Sequence, residues 1–253
     1  MVYMLGKKAP RIDDRTMVFK AMFISKVLPA VPLAWNIDIN VLGKYKIPPR
    51  MYYNDRYGDC VMAGRANQTV RFECFEQSKI ITIMDKEVLA EYMKETGGQD
   101  SGLVMLDAMN AWRKGWAAAG KKYNIYAFAK LNKNNLLAEM RVAVRYLMGV
   151  QVGVALPNNW QQQLDAGQPW HIVPGSAGKP NPNNGHCIFG SRYDSNAKMF
   201  YFKTWGVEQA ATEEWVTKCA DEAYGIVDDK DAGLKSSPVD PIALDAYLNN
   251  IAA

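Results

Sequence analysis

The chain has 253 residues, 49% of them hydrophobic, with a net charge of +4, four cysteines and two histidines. Such a length can bury one large core or two lobes sharing a cleft. So small a net charge, with no dense Lys/Arg block, argues against a nucleic-acid surface. The cysteines at 60, 74, 187 and 219 have no CxxC spacing. That pattern, with so few histidines, predicts no metal site and no disulfide framework, and points to a reducing compartment.

Residues 1–34 read as an arm whose most apolar run is 17–32. Lys20, Lys26, Pro29 and Pro32 interrupt that run, so neither a membrane span nor a signal peptide is expected, and a cytoplasmic or virion setting follows. The arm is expected to pack on the domain; docking on a partner or covering a cleft are the sharper alternatives. Residues 34–54 are predicted to be mostly extended, with Pro48-Pro49 blocking a helix.

A helix is then predicted from Cys60 to about Phe75, with Ala63, Ala66, Val70 and Cys74 on one face, Gly58 in the turn before it and Asp59 as N-cap. A thiol on the first helical residue meets the positive end of the helix dipole, so the Cys60 pKa is expected to fall, as a nucleophile requires. Asn54, six positions earlier, carries an amide able to donate to an oxyanion. Further helices are predicted from Asp85 to about Gly97, over Met105 to Trp116, and over Leu136 to Leu147.

The period then shortens. Val150–Leu156, His186–Tyr193 and Lys198–Trp205 read as strands, the last two as a hairpin across 194–197. Thr212 is placed to cap a short helix bearing Trp215, Glu222–Val227 reads as a last strand, and Pro241 opens a terminal helix to Ile251. The polar stretch 157–185 reads as a cleft-bordering loop with His171 unassigned.

The order is Cys60 after a turn, Gly185-His186 opening a strand, and Phe202-Lys203-Thr204-Trp205-Gly206 ending the next. With the Cys60-to-His186 separation close to the about 130 to 150 residues of papain and the cathepsins, the chain resembles the papain-like (C1-like) cysteine peptidases. Tyr57-Gly58-Asp59-Cys60 and Thr204-Trp205-Gly206 look closer to divergent bacterial and phage members. The resemblance implies an α+β, two-lobed fold over residues 35–253. Its lobes are a helical N-terminal one (about 55–149) and an antiparallel strand-rich C-terminal one (about 150–230), with a cleft between them.

The resemblance also implies roles. Cys60 stands at the nucleophile, His186 at the general base, Asn54 at the oxyanion-hole amide and Trp205 at the shield over the histidine. Lys203 stands where the family has its histidine-orienting asparagine. Thr204 carries an oxygen, but strand alternation assigns it to the face opposite Lys203 and Trp205. The implied activity is hydrolysis of a peptide or isopeptide bond with no cofactor or metal. The implied partner is a peptide or protein substrate, with no nucleic acid and no membrane. The alternative is a catalytically silent papain-like module that binds or assembles, for instance in a phage virion, through the N-terminal arm.

Overall fold

The computed structural model describes residues 3–228 and 238–252. The first two residues of the expected arm, the stretch 229–237 and the last residue of the expected domain lie outside the described residues. Two apolar clusters divide the chain, and each is the core of one lobe.

The helical lobe is built from α2 (Cys60–Gln77), α3 (Asp85–Glu95) and α4 (Met105–Lys114), after a single-turn α1 (Ile37–Asn40) that breaks the expected extended stretch. Nearly all of α2 is buried because helices cover one side and the sheet the other. Its buried arginines are therefore paired. Arg71 bonds Asp38 (2.7 Å) and the Asn67 and Ile47 carbonyls, and Arg65 bonds Glu95 and the Ala108 carbonyl, as burial of charge requires. On α4 the face of Met105, Ala108, Met109 and Trp112 fills the core. This helix stops at Lys114, and Trp116 instead opens a small hairpin, β2 (Trp116–Ala118) with β3 (Lys121–Tyr123). The hairpin turns on Ala119 and Gly120, both at positive φ, the conformation that a tight two-residue hairpin loop demands.

The second lobe is a seven-stranded antiparallel sheet. Its strands are β1 (Ala34–Asn36), β4 (Ala127–Lys130), β5 (Val150–Pro157), β6 (Pro180–Asp194), β7 (Met199–Thr204), β8 (Val207–Thr212) and β9 (Ala220–Val227). They run in the order β4-β9-β5-β6-β7-β8, with β1 on the end of β6. Against the sheet pack α5 (Leu136–Tyr146) and α7 (Glu213–Cys219), the latter capped by Thr212 Oγ1 accepting from Trp215 N–H (3.2 Å), while α8 (Pro241–Ala252) packs on the single turn Phe19–Met22. Trp215 is completely buried there; truncating such a side chain to Ala costs about 3–5 kcal/mol. The polar stretch after β5 is shorter than its composition suggests, because α6 (Trp160–Asp165) forms within it and β6 already starts at Pro180.

The α+β architecture with two lobes is thus what the chain adopts, though β2, β3, β4 and β8 were not among the expected strands. The N-terminal residues contribute to it directly. Met17, Phe19, Met22 and Phe23 are buried in the sheet-side core, while residues 4–8 run between the lobes. Among the described residues no helix is long and apolar enough to cross a membrane.

Candidate active site

His186, Thr204 and Trp205 form one buried group on the sheet side, and the start of α2 packs on β6 so that the Cys187 backbone N–H, next to His186, is aimed at the Cys60 sulfur. Cys60 starts α2, as expected, and sits 1% exposed. Asp59 holds the N-cap position but its carboxylate caps nothing; both oxygens are buried without a geometric hydrogen bond. Burial pushes the Asp59 pKa up to about 8, with Asp100 and Asp55 nearby adding to the rise, so the group is mostly protonated at neutral pH.

The Cys60 thiol contradicts the expected depression. Its pKa is pushed up to about 11, first by burial; the Cys187 and Gly6 backbone N–H groups aimed at the sulfur oppose that only partly. Desolvation outweighs the helix end because the sulfur is shut off from solvent by the surrounding protein. All four cysteines are free and buried.

His186 lies on β6, fully buried, and packs its ring on Trp205 at 3.9 Å between centroids and 11° between planes. Its Nε2 hydrogen-bonds Thr204 Oγ1 at 2.7 Å, whereas Nδ1 has no hydrogen-bond partner among the described residues. Burial chiefly, and then the charge of Lys7, lower the imidazole pKa to about 3.

Thr204 fills the position beside the imidazole for a reason of backbone geometry. Strand β7 ends at Thr204, which pairs with Val207 of β8. The two residues between, Trp205 and Gly206, have φ of 43° and 74°, forming a two-residue hairpin turn. A tryptophan in that region is uncommon and costs about 1–2 kcal/mol. The turn removes Trp205 from the alternation of β7 and lays its indole on His186. Lys203 points to the other face, 3.0 Å from Asp38 and paired with Glu208. It therefore does not face His186, and the expectation that an asparagine at Lys203 would orient the imidazole is corrected. The signal for the turn is Gly206, directly after Trp205 and before the next strand, Val207–Thr212.

Asn54 is buried near the start of α2. Its Nδ2 donates to the Tyr57 carbonyl (2.9 Å), and its amide lies beside the Asp59 carboxyl, favouring the charged form there. His171 bonds Gln163 and the Pro169 carbonyl, with no contact to the cysteine–histidine group among those the structure shows. No cluster of His, Cys, Asp and Glu able to hold a metal occurs among the described residues.

The feature that sequence reasoning left open is the occupant of the cleft. Met4 N–H donates to the Asn54 carbonyl (3.0 Å), Leu103 N–H to the Gly6 carbonyl (2.8 Å), Lys7 N–H to the Gly185 carbonyl (3.2 Å), and Lys8 N–H to the Leu103 carbonyl (2.9 Å). The segment is thus stitched to both walls as an extended chain, a mode of holding a peptide by its backbone. Glycines make the fit: a Cβ on Gly6 would overlap the Gly58 carbonyl, and one on Gly102 or Gly185 would overlap the carbonyl of Gly6 or Lys7. Asp100 fixes the helical wall by accepting from Gly58 N–H (2.9 Å) and the Tyr92 hydroxyl (2.6 Å), which itself accepts from Gly102 N–H (2.8 Å). Trp205 Nε1 donates to the Met4 carbonyl (3.3 Å). Of the alternatives for the arm, residues 4–8 cover the cleft, and the buried aromatics after them pack on the sheet.

No family model matches the sequence, and no curated protein matches it at a significant level. Solved structures do match the fold. Xylellain, a cysteine protease from Xylella fastidiosa, superposes with a TM-score of 0.67 at 15% identity, over 91% of this chain and 98% of that one. Procathepsin B S9 from Trypanosoma congolense gives a TM-score of 0.61 at 9% identity, over 89% and 86% of the two chains. The proform of Amb a 11, a cysteine protease and ragweed pollen allergen, gives 0.58 at 12% identity over 85% and 71%. The chain has the two-lobed fold of the papain-like cysteine proteases.

Proposed function

We propose that this protein is a cysteine peptidase held latent by its own residues 4–8. The observation that carries the reading is the imidazole of His186. Nε2 is held by Thr204 Oγ1 at 2.7 Å, the ring is clamped on Trp205, and Nδ1 is left buried and unpartnered, while the backbone N–H of the next residue, Cys187, is aimed at the Cys60 sulfur. A buried ring nitrogen without a partner is costly, and a site that leaves one so is reserving it for chemistry.

In the open cleft, Cys60 loses its thiol proton to His186 Nδ1, and the sulfur forms a bond to the carbonyl carbon of a peptide or isopeptide. The resulting oxyanion is met by the Cys60 backbone N–H, which has no partner within α2, and by Asn54 Nδ2 once it leaves the Tyr57 carbonyl and the Asp59 carboxyl that it serves in the covered state. The C–N bond breaks, the amine takes the proton back from the imidazolium, and a thioester remains. His186 then draws a proton from water, whose oxygen bonds the thioester carbon; the C–S bond breaks, the acid is released, and the sulfur takes the proton back from the imidazolium. Thr204 is the third member, a positioning residue that holds the ring. Trp205 excludes water from the pair. In the covered state the raised thiol and lowered imidazole pKa values keep both groups neutral, so the pair is silent until the segment leaves.

The competing reading is a silent papain-like module used for binding or assembly, for instance in a virion, and the sealed cleft is what favours it. The two are separated by Lys7→Ala, which loosens the segment, assayed on a mixed peptide substrate with Lys7→Ala/Cys60→Ala as the zero. Cys60-dependent turnover is expected; an opened cleft with no turnover would establish the silent module.

A further inference from the structure

The side chain of Lys7 leaves the segment's backbone and enters a closed pocket. It is 1% exposed, and its Nζ lies 2.9 Å from Asp221 Oδ2 and 3.4 Å from Glu222 Oε1, with the Lys8 carbonyl at 3.1 Å. Gly153 of β5 forms the floor: a Cβ there would overlap Lys7 Cε and come within 2.8 Å of Glu222 Cγ and Met105 Sδ. Glycine, a methionine thioether and two carboxylates therefore shape a slot for a four-carbon stem with a cation at its end. The carboxylates come from β9, a fixed strand of the sheet, while the cation comes from a segment held by backbone bonds. Glu222 is completely buried, takes the Tyr224 hydroxyl on Oε2 (2.9 Å), and has no hydrogen-bond partner on Oε1. Once Lys7 withdraws, a buried carboxylate is left facing an empty slot, and an uncompensated buried charge is strongly unfavourable.

We propose that this pocket is a specificity site for a basic side chain, and that the cleft takes peptides carrying a lysine where Lys7 now lies. Lys7 is then a stand-in for the substrate's own side chain: the segment masks the cleft by presenting what the pocket selects. Asp221, partly exposed at the rim, meets the ammonium as it enters, and Glu222 receives it at depth. A neutral apolar side chain of equal length fills the slot but leaves Glu222 unpaired, so selectivity comes from the penalty on the wrong occupant as much as from attraction to the right one.

The turnover arm of the test rests on the peptidase reading; the binding arm does not. The full chain carrying Lys7→Ala, or Lys7→Gln should the first fail to fold, is given internally quenched peptides that vary one position between lysine and norleucine. In parallel, the Lys7→Ala/Cys60→Ala chain is titrated, by fluorescence anisotropy, with a labelled peptide of residues 3–9 and its norleucine-7 counterpart. The lysine peptides are expected to win by about tenfold or more in both arms, and Asp221→Asn and Glu222→Gln, each checked for folding by thermal melt, are each expected to bring the ratio toward one. Equal handling of lysine and norleucine, or a preference that both variants leave intact, overturns the pocket. Lysine-selective binding without any turnover upholds the pocket and overturns the peptidase reading alone.

Discussion

Lys203 and Lys7 are both buried, at 5% and 6% exposure, and both face two carboxylates, yet they belong to different parts of the machine. Lys203 is the penultimate residue of β7 and joins Asp38, which Arg71 of α2 also holds. It ties the sheet to the helical lobe. Lys7 comes from a segment near the chain's start and joins two consecutive residues of β9. Withdrawing it leaves every strand of the sheet in place. The same chemistry thus serves once as scaffold and once as a latch, and what distinguishes them is whether the cation's own backbone belongs to the sheet.

The largest expected effect breaks the scaffold side. Lys203→Met removes one cation from Asp38 while Arg71 remains, and should cost about 3 kcal/mol in chemical denaturation, the low end for an opened buried ion pair. Lys203→Asn should be destabilising too, with no gain in turnover, because the residue does not face His186.

Next comes the histidine's support. In the Lys7→Ala background, Thr204→Val should lower kcat about 10²-fold and stability by only about 1 kcal/mol, with Thr204→Ser retaining most activity. Equal kcat for the valine and serine variants would remove Thr204 from the site.

On the latch side, Lys7→Ala should cost less stability than Lys203→Met, and should speed alkylation of Cys60 about tenfold or more by making local opening easier. Mass mapping of all four thiols checks this; unchanged Cys60 labelling would mean that the segment does not control access.

The smallest effect is a pH slope. Asp59 is raised in the folded state to about 8, so its contribution is fully present below the unfolded carboxyl range and is lost as pH rises toward 8. His186 is lowered to about 3, so its contribution is present above pH 6.5 and is lost as pH falls toward 3. The two oppose each other between about pH 4 and 6.5. Asp59→Asn should leave the His186 slope alone there and remove the decline between about pH 6.5 and 8, as thermal melts across pH would read.

The sequence disclosed the helical lobe and the central strands because their periodicity is strong: the buried face of α4 and the apolar runs of β5 and β6 repeat at 3.6 and at short spacing. It offered Cys60 and His186 as candidates because a cysteine at a helix start and a Gly-His leading an apolar run fall in a recognisable order, although β6 already begins at Pro180. It misjudged Thr204 because alternation was carried one residue too far; Trp205 belongs to the turn. It misjudged the thiol pKa because a local rule about helix ends cannot register burial imposed by residues more than fifty positions away. Residues 4–8 carry no hydrophobic period at all. Their place is set by backbone bonds and by close approach at Gly6, Gly102 and Gly185, which single residues do not advertise.

Cys60 is proposed as a nucleophile that His186 activates only once residues 4–8 leave the cleft. A mechanism-based cysteine-peptidase probe applied to wild type, Lys7→Ala and Lys7→Ala/His186→Ala, with the modified residue mapped by mass spectrometry, tests it directly. The account predicts sparse labelling of wild type, strong labelling of Cys60 in Lys7→Ala, and loss of that labelling without His186. Labelling at Cys74, Cys187 or Cys219 instead, or Cys60 labelling indifferent to His186, would contradict it.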